Sequence, residues 1–341
     1  MGMHIERRTL LKSFAAAPVL LSPLAAGCAK HGSTTKAGTL NIGQISNSVA
    51  FFPLFIAEEK GYFKDEGIKL GDRPRLGTGA KVAAALKSGS IDLGAGVLTD
   101  AFNLAQSSEP GATRVLSSLV TEYYVDIVVG KTFDGPDESA SLEQRTKALV
   151  GKKIGITGPG SGTEALVTFL FDGVGKKAKT DATLVNLGSA ATSAIGALKS
   201  GRVDALSFFQ PIGQQAEADG SGRILISPAR GDVKEMTGAL HGVVFSTQKL
   251  LKKKSEEADG FQRAIKRAQQ DVQGDPGKLR ELLEKYLKDT DPKALDALVP
   301  ILRREMPRSP AVQRTPYETA RRFHQKSGLV KKAPDFGDIT A

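Results

Sequence analysis

A short segment that occurs twice, 112 residues apart, constrains the fold of this 341-residue chain more than any other feature. Ala85-Leu-Lys-Ser-Gly-Ser-Ile-Asp92 in the first half is matched by Ala197-Leu-Lys-Ser-Gly-Arg-Val-Asp204 in the second. Each copy predicts a helix that ends at a glycine and turns into a short buried strand. Chance similarity between two helix–glycine–strand units is the alternative. The shared context, a Gly/Ser/Thr-rich loop before each copy, favours two related lobes.

Strand-like and helix-like segments alternate through both halves of the chain. Residues 39–43 and 152–157 have strand patterns, and 81–87 and 164–171 have helical spacing. Such alternation is typical of an α/β fold with a mainly parallel sheet flanked by helices in each lobe. After a strand near residue 241 the chain becomes mostly helical. We therefore predict one lobe from residues 39–127 plus 240–341, which includes a helical C-terminal tail, and a second lobe from residues 128–239.

The first 28 residues have the pattern of an export signal. Arg7, Arg8 and Lys12 precede a short apolar run, and small residues lead to Cys28, the sole cysteine. The run is too short, and too often interrupted by polar residues and proline, for a transmembrane helix, which needs about 20 apolar residues. We predict a signal peptide with a lipobox cysteine at 1–28 and a tether at 29–38. A plain cleaved signal is the alternative, and the export route, general or twin-arginine, stays open. The predicted location is the periplasm or the outer face of the cytoplasmic membrane, with a lipid anchor on Cys28.

Composition excludes several other classes of protein. The net charge is +10, but the basic residues are interleaved with acids and lack an aromatic-basic motif, so we expect a solvated surface and no nucleic-acid partner. One cysteine gives no disulfide framework. The four histidines show neither nucleophile pairing nor metal-ligand spacing. We therefore predict no enzyme activity, no cofactor and no metal site, and a structural role for His241.

Four segments in order carry a family resemblance over residues 38 to about 330. They are the two repeat copies, Gly61-Tyr62-Phe63-Lys64-Asp65-Glu66-Gly67-Ile68, and the stretch from 149 to 163. Together they resemble the solute-binding proteins of ABC importers, in the branch for nitrate, sulfonate, taurine and thiamine precursors. The resemblance implies a type II periplasmic binding fold with two crossovers, in which the lobes close over a small ligand. It also implies a permease and its ATPase as partners, and we expect a monomer.

The fold suggests where ligand contacts lie. In α/β sheets, sites form at the carboxyl ends of strands, beside helix N-termini that offer free N–H groups. The candidate ligand residues are Ser46, Asn47, Ser48, Thr78, Gly79, Thr99 and Asp100 in the first lobe, Tyr123 near the first crossover, and Ser161, Gly162, Thr163, Ser189 and Gln210 in the second. For Ser161 and Thr163, simple capping of their own helix is the alternative.

The charge of the ligand stays open at this level. The loop from 158 to 163 suits an anion, whereas Asp100 would repel an anion and favour an amine or hydroxyl donor. The candidate loops contain no arginine for a bidentate anion clamp. Tyr123 and Tyr124 are adjacent, so at most one of them is expected to line the cleft. An enzyme on the same fold, of lyase or precursor-synthase type, and a ligand-sensing subunit of a signalling system are the alternative functions.

Overall fold

The computed structural model describes residues 38–328 and 330–340. The predicted signal peptide, Cys28 and all but the last residue of the predicted tether lie outside these ranges. The strands are β1 (Thr39–Leu40), β2 (Ile42–Gln44), β3 (Lys69–Leu70), β4 (Leu93–Val97), β5 (Thr113–Val120), β6 (Val125–Gly130), β7 (Lys153–Ile156), β8 (Thr183–Asn186), β9 (Ala205–Phe209), β10 (Gly222–Ile226) and β11 (Gly242–Thr247).

Helices flank these strands and make up most of the C-terminal third. They are α1 (Phe52–Glu59), α2 (Tyr62–Asp65), α3 (Gly79–Ser88), α4 (Leu98–Gln106), α5 (Leu142–Lys147), α6 (Gly162–Gly173), α7 (Ala178–Asp181), α8 (Ala191–Lys199), α9 (Ile212–Ala218), α10 (Gln248–Lys253), α11 (Ser255–Val272), α12 (Pro276–Tyr286), α13 (Pro292–Glu305), α14 (Arg314–Lys326) and α15 (Phe336–Ile339). Among the helices described, none is both long enough and apolar enough to cross a bilayer.

Two larger sheets organise the fold. A four-stranded sheet has the order β2-β4-β11-β5, and a five-stranded sheet has the order β10-β6-β9-β7-β8. The chain passes from the first sheet to the second between β5 and β6 and returns between β10 and β11. All of β6, from Val125 onwards, belongs to the five-stranded sheet. The lobe bounds given above, 39–127 plus 240–341 and 128–239, stay a prediction.

Both sheets are mixed, which corrects the expectation of mainly parallel sheets. The pairs β2–β4, β7–β8 and β7–β9 are parallel. The pairs β4–β11, β5–β11, β6–β9 and β6–β10 are antiparallel. The antiparallel pairs all involve β6 or β11, the strands that follow a crossing between sheets. Such a strand does not arrive through a helix over the same sheet, so the rule that makes βαβ neighbours parallel does not apply to it.

The two halves of the 112-residue repeat pair their strands in the same register. Ile42 of β2 lies opposite Leu93 of β4, and Ile154 of β7 lies opposite Ala205 of β9 in the same parallel arrangement. Each residue of the second pair is 112 positions after its equivalent in the first. The segments found by sequence comparison therefore belong to two copies of one β-α-β arrangement.

The aspartate that ends each repeat segment has the same structural role in both copies. Asp92 Oδ2 accepts a hydrogen bond from the backbone N–H of Asn41 at 2.9 Å. Asp204 Oδ2 accepts one from the backbone N–H of Lys153 at 2.7 Å. Asp92 is buried and also lies 3.4 Å from the ammonium of Lys254, whereas Asp204 is exposed. Each aspartate therefore binds the start of the parallel strand that pairs with the strand after it, β2 for Asp92 and β7 for Asp204.

The C-terminal helices contact the four-stranded sheet and the segment that leads out of it. In α11, Phe261 stacks on Phe63 of α2 with ring centroids 5.6 Å apart, and Gln269 donates to the carbonyl of Ser118 in β5. The carbonyl of Glu305, at the end of α13, accepts from Thr121 N at 2.9 Å in the first crossing. The helical tail therefore also braces the segment that links the two sheets.

Candidate functional site

Two adjoining chambers lie between the sheets. The first, here called the inner chamber, has a volume of about 390 Å³, and the second, the outer chamber, about 700 Å³. They share four lining residues: Ile45, Gly77, Ser189 and Phe209. A volume of several hundred Å³ is typical of sites for small molecules.

The two chambers are built from equivalent positions of the repeat. The inner chamber is lined by residues 77–80, 83, 84 and 87 of the α3 region, and the outer chamber by residues 189–192, 195, 196 and 199 of the α8 region. Likewise, residues 157–159 and 100, 103 and 107 of the inner chamber correspond to 45–47 and 212, 215 and 219 of the outer one. Every pair differs by 112 positions, so each chamber is the counterpart of the other.

The two halves touch at the boundary between the chambers. Gly77 and Ser189 are equivalent residues, and a Cβ on Gly77 would lie 3.9 Å from Ser189 Oγ. Gly77 has φ of 82°, a left-handed conformation that favours glycine at this close approach. Nearby, Asn103 Nδ2 donates to the carbonyl of Gly160 at 3.3 Å. The inner chamber is therefore bridged by a hydrogen bond from α4, which follows a strand of the four-stranded sheet, to the loop before α6, which follows a strand of the five-stranded sheet.

Two helix N-termini face the inner chamber. Thr78 Oγ1 accepts from Lys81 N at the start of α3, and Ser161 Oγ accepts from Glu164 N at the start of α6, each at 3.3 Å. Ser161 therefore caps its own helix, the alternative considered from sequence, while it also lines the chamber. The first two N–H groups of α3 and of α6 have no acceptor among the residues described. Such groups attract electronegative atoms.

Asp100 brings a buried carboxyl group to the same chamber. It is 7 % exposed, and its Oδ2 accepts from Val97 N at 3.0 Å. A Cβ on Gly79 would overlap Oδ1, so glycine is needed there for the carboxyl group to fit. Oδ1 has no hydrogen-bond donor within the described part of the chain. Burial raises the pKa of Asp100 to about 6 because no nearby cation offsets the loss of water.

Lys87 is the other charged residue in the described lining of the inner chamber. Its ammonium donates to the carbonyl of Ser107 at 2.7 Å and to the Ser107 hydroxyl at 3.0 Å. Lys87 is exposed, so it lies at the mouth of the chamber. The equivalent pair in the outer chamber, Lys199 and Asp219, forms a salt bridge at 2.8 Å.

His241 forms part of the inner wall beside two tyrosines. Its ring centroid is 3.9 Å from that of Tyr123 and 4.6 Å from that of Tyr124. It is 1 % exposed, and burial lowers the pKa of His241 well below its usual value, so the imidazole is neutral. Nδ1 has no partner among the described atoms. The sequence predicted a structural role for His241, but its ring also lines the chamber.

Nine of the thirteen sequence-predicted site residues line the chambers. Those in the inner chamber are Thr78, Gly79, Asp100, Ser161, Gly162 and Thr163; those in the outer chamber are Ser46 and Asn47; Ser189 lines both. Four are in neither lining: Ser48, Thr99, Tyr123 and Gln210.

Tyr124, rather than the predicted Tyr123, is in the chamber wall. Tyr123 points the other way, where its hydroxyl donates to the carbonyl of Gly162 at 2.5 Å and its ring packs on Phe323. Adjacent side chains in an extended segment face opposite sides, so only one of the two can reach the chamber.

The other three residues are buried by long-range partners. Thr99 Oγ1 lies 2.6 Å from Nε2 of His324, and Gln210 Nε2 donates to Glu305 Oε1 at 3.1 Å. The carbonyl of Ser48 accepts from the hydroxyl of a tyrosine in α12, at 2.9 Å. These partners all come from the C-terminal helices, at sequence separations that loop patterns cannot reveal.

Arg75 reaches the outer chamber although it lies just outside the candidate loops. Its Nε donates to Asn47 Oδ1 at 2.5 Å and its Nη1 to the carbonyl of Arg73 at 2.8 Å. Nη2 has no acceptor in the described ranges. Sequence reasoning missed it because it precedes the glycine loop by two residues; a backbone bridge between Arg75 and Gln44 brings it to the chamber.

Comparison with known proteins agrees with this architecture. A curated relative, the putative binding protein YtlA of Bacillus subtilis, is 25 % identical over 323 residues, which are 90 % of this chain and 88 % of that protein. The alkanesulfonate-binding protein SsuA from Xanthomonas axonopodis pv. citri, solved with bound MOPS, superimposes with a TM-score of 0.71 at 17 % identity, covering 90 % of this chain and 99 % of SsuA.

An enzyme has a similar fold. The desulfurization enzyme DszB superimposes with a TM-score of 0.58 at 15 % identity, covering 86 % of this chain and 94 % of that one. These structural likenesses confirm the predicted periplasmic-binding-protein fold. The model of one family, the NMT1-like family, matches residues 33–285. This chain is therefore a member of the NMT1-like family.

Proposed function

We propose that this protein is the extracytoplasmic solute-binding component of an ABC importer, which holds a small solute between two lobes and delivers it to a membrane permease. The inner chamber is the observation that carries the proposal. Segments that follow strands of both sheets line it, and Asn103 of α4 bonds to Gly160 across it, so a solute inside would favour the closed arrangement of the two halves. The family, the likeness to the putative binding protein YtlA and the likeness to the alkanesulfonate-binding protein SsuA support the same function.

The proposed solute belongs to the sulfonate, nitrate or taurine-like class. The likeness to a sulfonate-binding protein supports this class. Within the chambers, Arg75 Nη2 and the free N–H groups at the starts of α3 and α6 are donors suited to the oxygens of an acid group. A solute that fits about 390 Å³ is small, comparable to the smaller ligands of such sites.

The proposed function also includes a location, a lobe division and an oligomeric state. A lipid anchor on Cys28 would hold the protein at the outer face of the cytoplasmic membrane or in the periplasm, where the permease and its ATPase receive the solute. The lobes that close are those bounded at 39–127 plus 240–341 and at 128–239, and the working form is a monomer.

An enzyme on the same fold is the second candidate, because DszB shares the architecture. The two hydroxyls at the start of α6 that line the inner chamber do not favour it. Ser161 Oγ lies 2.7 Å from Thr163 Oγ1, and Thr163 Oγ1 accepts from Thr157 N, so both serve the local fold. Nucleophilic catalysis needs a hydroxyl within reach of a base. Recovery of the solute unchanged after incubation would separate a carrier from an enzyme.

The test combines ligand binding with a matched pair of blocking variants. Thermal unfolding of the purified protein is followed with taurine, ethanesulfonate and nitrate, since a ligand at about 100-fold excess over its Kd stabilises the native state by about 2.7 kcal/mol. Ala83→Phe fills the inner chamber, and Ile195→Phe fills the equivalent part of the outer one. We expect Ala83→Phe to abolish a ligand-induced shift in Tm while the unliganded variant still unfolds cooperatively. No shift with any solute would contradict the proposed function.

A further inference from the structure

Charge differs at three equivalent positions of the two halves where a residue lines a chamber. One is Asp219 of the outer chamber, which corresponds to Ser107 of the inner one and pairs with Lys199. At the other two, Asp100 in the inner chamber corresponds to Ile212 in the outer one, and Arg75 corresponds to Leu187. By contrast, the lysine at the mouth is kept in both chambers, as Lys87 and as Lys199. The repeat architecture therefore forms with an apolar residue at the position of Asp100, so the fold itself does not require a carboxyl group there.

The carboxyl group of Asp100 is held where water cannot fully solvate it. Burying such a group without a partner costs free energy, and proteins keep unmatched buried charges mainly at functional sites. Its Oδ1 lacks a donor, and no cation among the described residues pairs with it. The group is therefore poised to accept hydrogen bonds from something that enters the chamber.

His241 adds a second polar atom without a partner to the same wall. Its Nδ1 makes no hydrogen bond with the described residues, and a neutral imidazole carries one nitrogen that accepts. Tyr124 and Phe209 supply aromatic surface next to it. The lining thus contains a carboxylate oxygen and an imidazole nitrogen, each without a partner among the described residues, in an otherwise mostly apolar chamber.

We propose that the inner chamber selects a solute that carries a nitrogen base, whose N–H groups donate to Asp100 Oδ1 and to the imidazole of His241. The inference rests on the proposed solute-binding function and narrows its solute class. Among sulfonates it favours one with an amine, whose acid group extends towards Arg75 and the outer chamber. Nitrate, which has no donor, leaves both acceptors unpaired and is disfavoured.

Two pairs of compounds that differ in the amine test this selection. Taurine is compared with ethanesulfonate, and benzylamine with benzyl alcohol, by titration calorimetry at pH 7.5. A charge-assisted hydrogen bond corresponds to at least about a tenfold difference in Kd, so we expect the amine of each pair to bind about tenfold more tightly or better. Asp100→Asn keeps an acceptor for Val97 N and is expected to remove that preference. Asp204→Asn, an exposed carboxylate away from the chambers, is the control and should leave it unchanged.

The outcomes separate this inference from the function on which it rests. If ethanesulfonate and benzyl alcohol bind as tightly as the two amines, or bind while the amines do not, the selection for a nitrogen base is wrong. The proposed solute-binding function is still supported in that case. The same holds if Asp100→Asn, folded as judged by circular dichroism, keeps the full preference. If none of the four compounds binds, both the selection and the proposed function are contradicted. The comparison within the native protein remains decisive even if the variant fails to fold.

Discussion

Replacing Asp100 by asparagine is expected to make the ligand-free protein more stable at neutral pH. Burial raises the pKa of Asp100 from 3.8 to about 6. The unfolded chain therefore releases this proton near pH 3.8 and the folded protein only near pH 6, so stability falls as the pH rises between these values and stays reduced above them. Each pH unit of that difference corresponds to about 1.4 kcal/mol, which gives a cost of about 3 kcal/mol at pH 8.

A smaller free-energy contribution, the interaction of the carboxylate with the helix dipole, opposes this gain in stability. Asp100 lies in the first turn of α4, where a negative charge stabilises the helix by about 0.3–1 kcal/mol, and asparagine loses that contribution. The hydrogen bond from Val97 N survives because the asparagine side chain also has an acceptor oxygen. The net expectation is a gain of about 2 kcal/mol at pH 8.

Urea unfolding followed by circular dichroism measures this effect for both proteins at pH 5 and pH 8. The advantage of Asp100→Asn should grow between the two pH values, because only the wild-type carboxyl group loses its proton in the folded state over that interval. A variant less stable than wild type at pH 8, or an advantage independent of pH, would refute the reasoning. The first result would show that the ionised carboxylate supports the fold, and the second that its ionisation in the folded protein has no cost over this pH range.

Three further predictions concern other described residues. Asp92→Ala should lower the free energy of unfolding by about 3 kcal/mol and Asp204→Ala by about 1 kcal/mol. The first loss is larger because only Asp92→Ala leaves the buried Lys254 without its carboxylate. Equal losses for the two variants in urea unfolding would contradict this. Burial lowers the pKa of His324 to about 4, so stability present above pH 6.5 is lost as the pH falls towards 4. His324→Gln should therefore flatten the dependence of Tm on pH between 7 and 5, and an unchanged slope counts against it. Arg75→Leu should weaken taurine binding about tenfold and leave benzylamine binding unchanged in calorimetry; equal loss for both would place the acid group elsewhere.

Much of the candidate site could be predicted from sequence because it follows the repeat. Loops that join a strand to a helix are short and carry Gly, Ser and Thr, and the fold places them at one edge of each sheet. Thr78, Ser161 and Ser189 were found in this way, and all three line a chamber. The equivalence of the two chambers was also implicit in the 112-residue spacing, although only the structure displayed it.

The differences between the predicted residues and the chamber linings have a common cause. Thr99 and Gln210 follow strands, as ligand residues do, but each is held by a side chain from the C-terminal helices, His324 or Glu305. Arg75 was missed for the converse reason, since a bridge to β2 brings it to the chamber from outside the loop. Contacts between segments far apart in the chain leave no local pattern.

The sequence by itself determined the alternation of helices and strands, the two related halves, and the glycines and aspartates that end each repeat segment. These features depend on interactions between residues close in the chain, or on a pattern repeated within it. The tertiary structure alone decided the mixed direction of the sheets, the choice of Tyr124 over Tyr123, and the charges that distinguish the chambers. These depend on which distant surfaces pack together, because burial and long-range partners, rather than local propensity, select the side of the chain that faces the cleft.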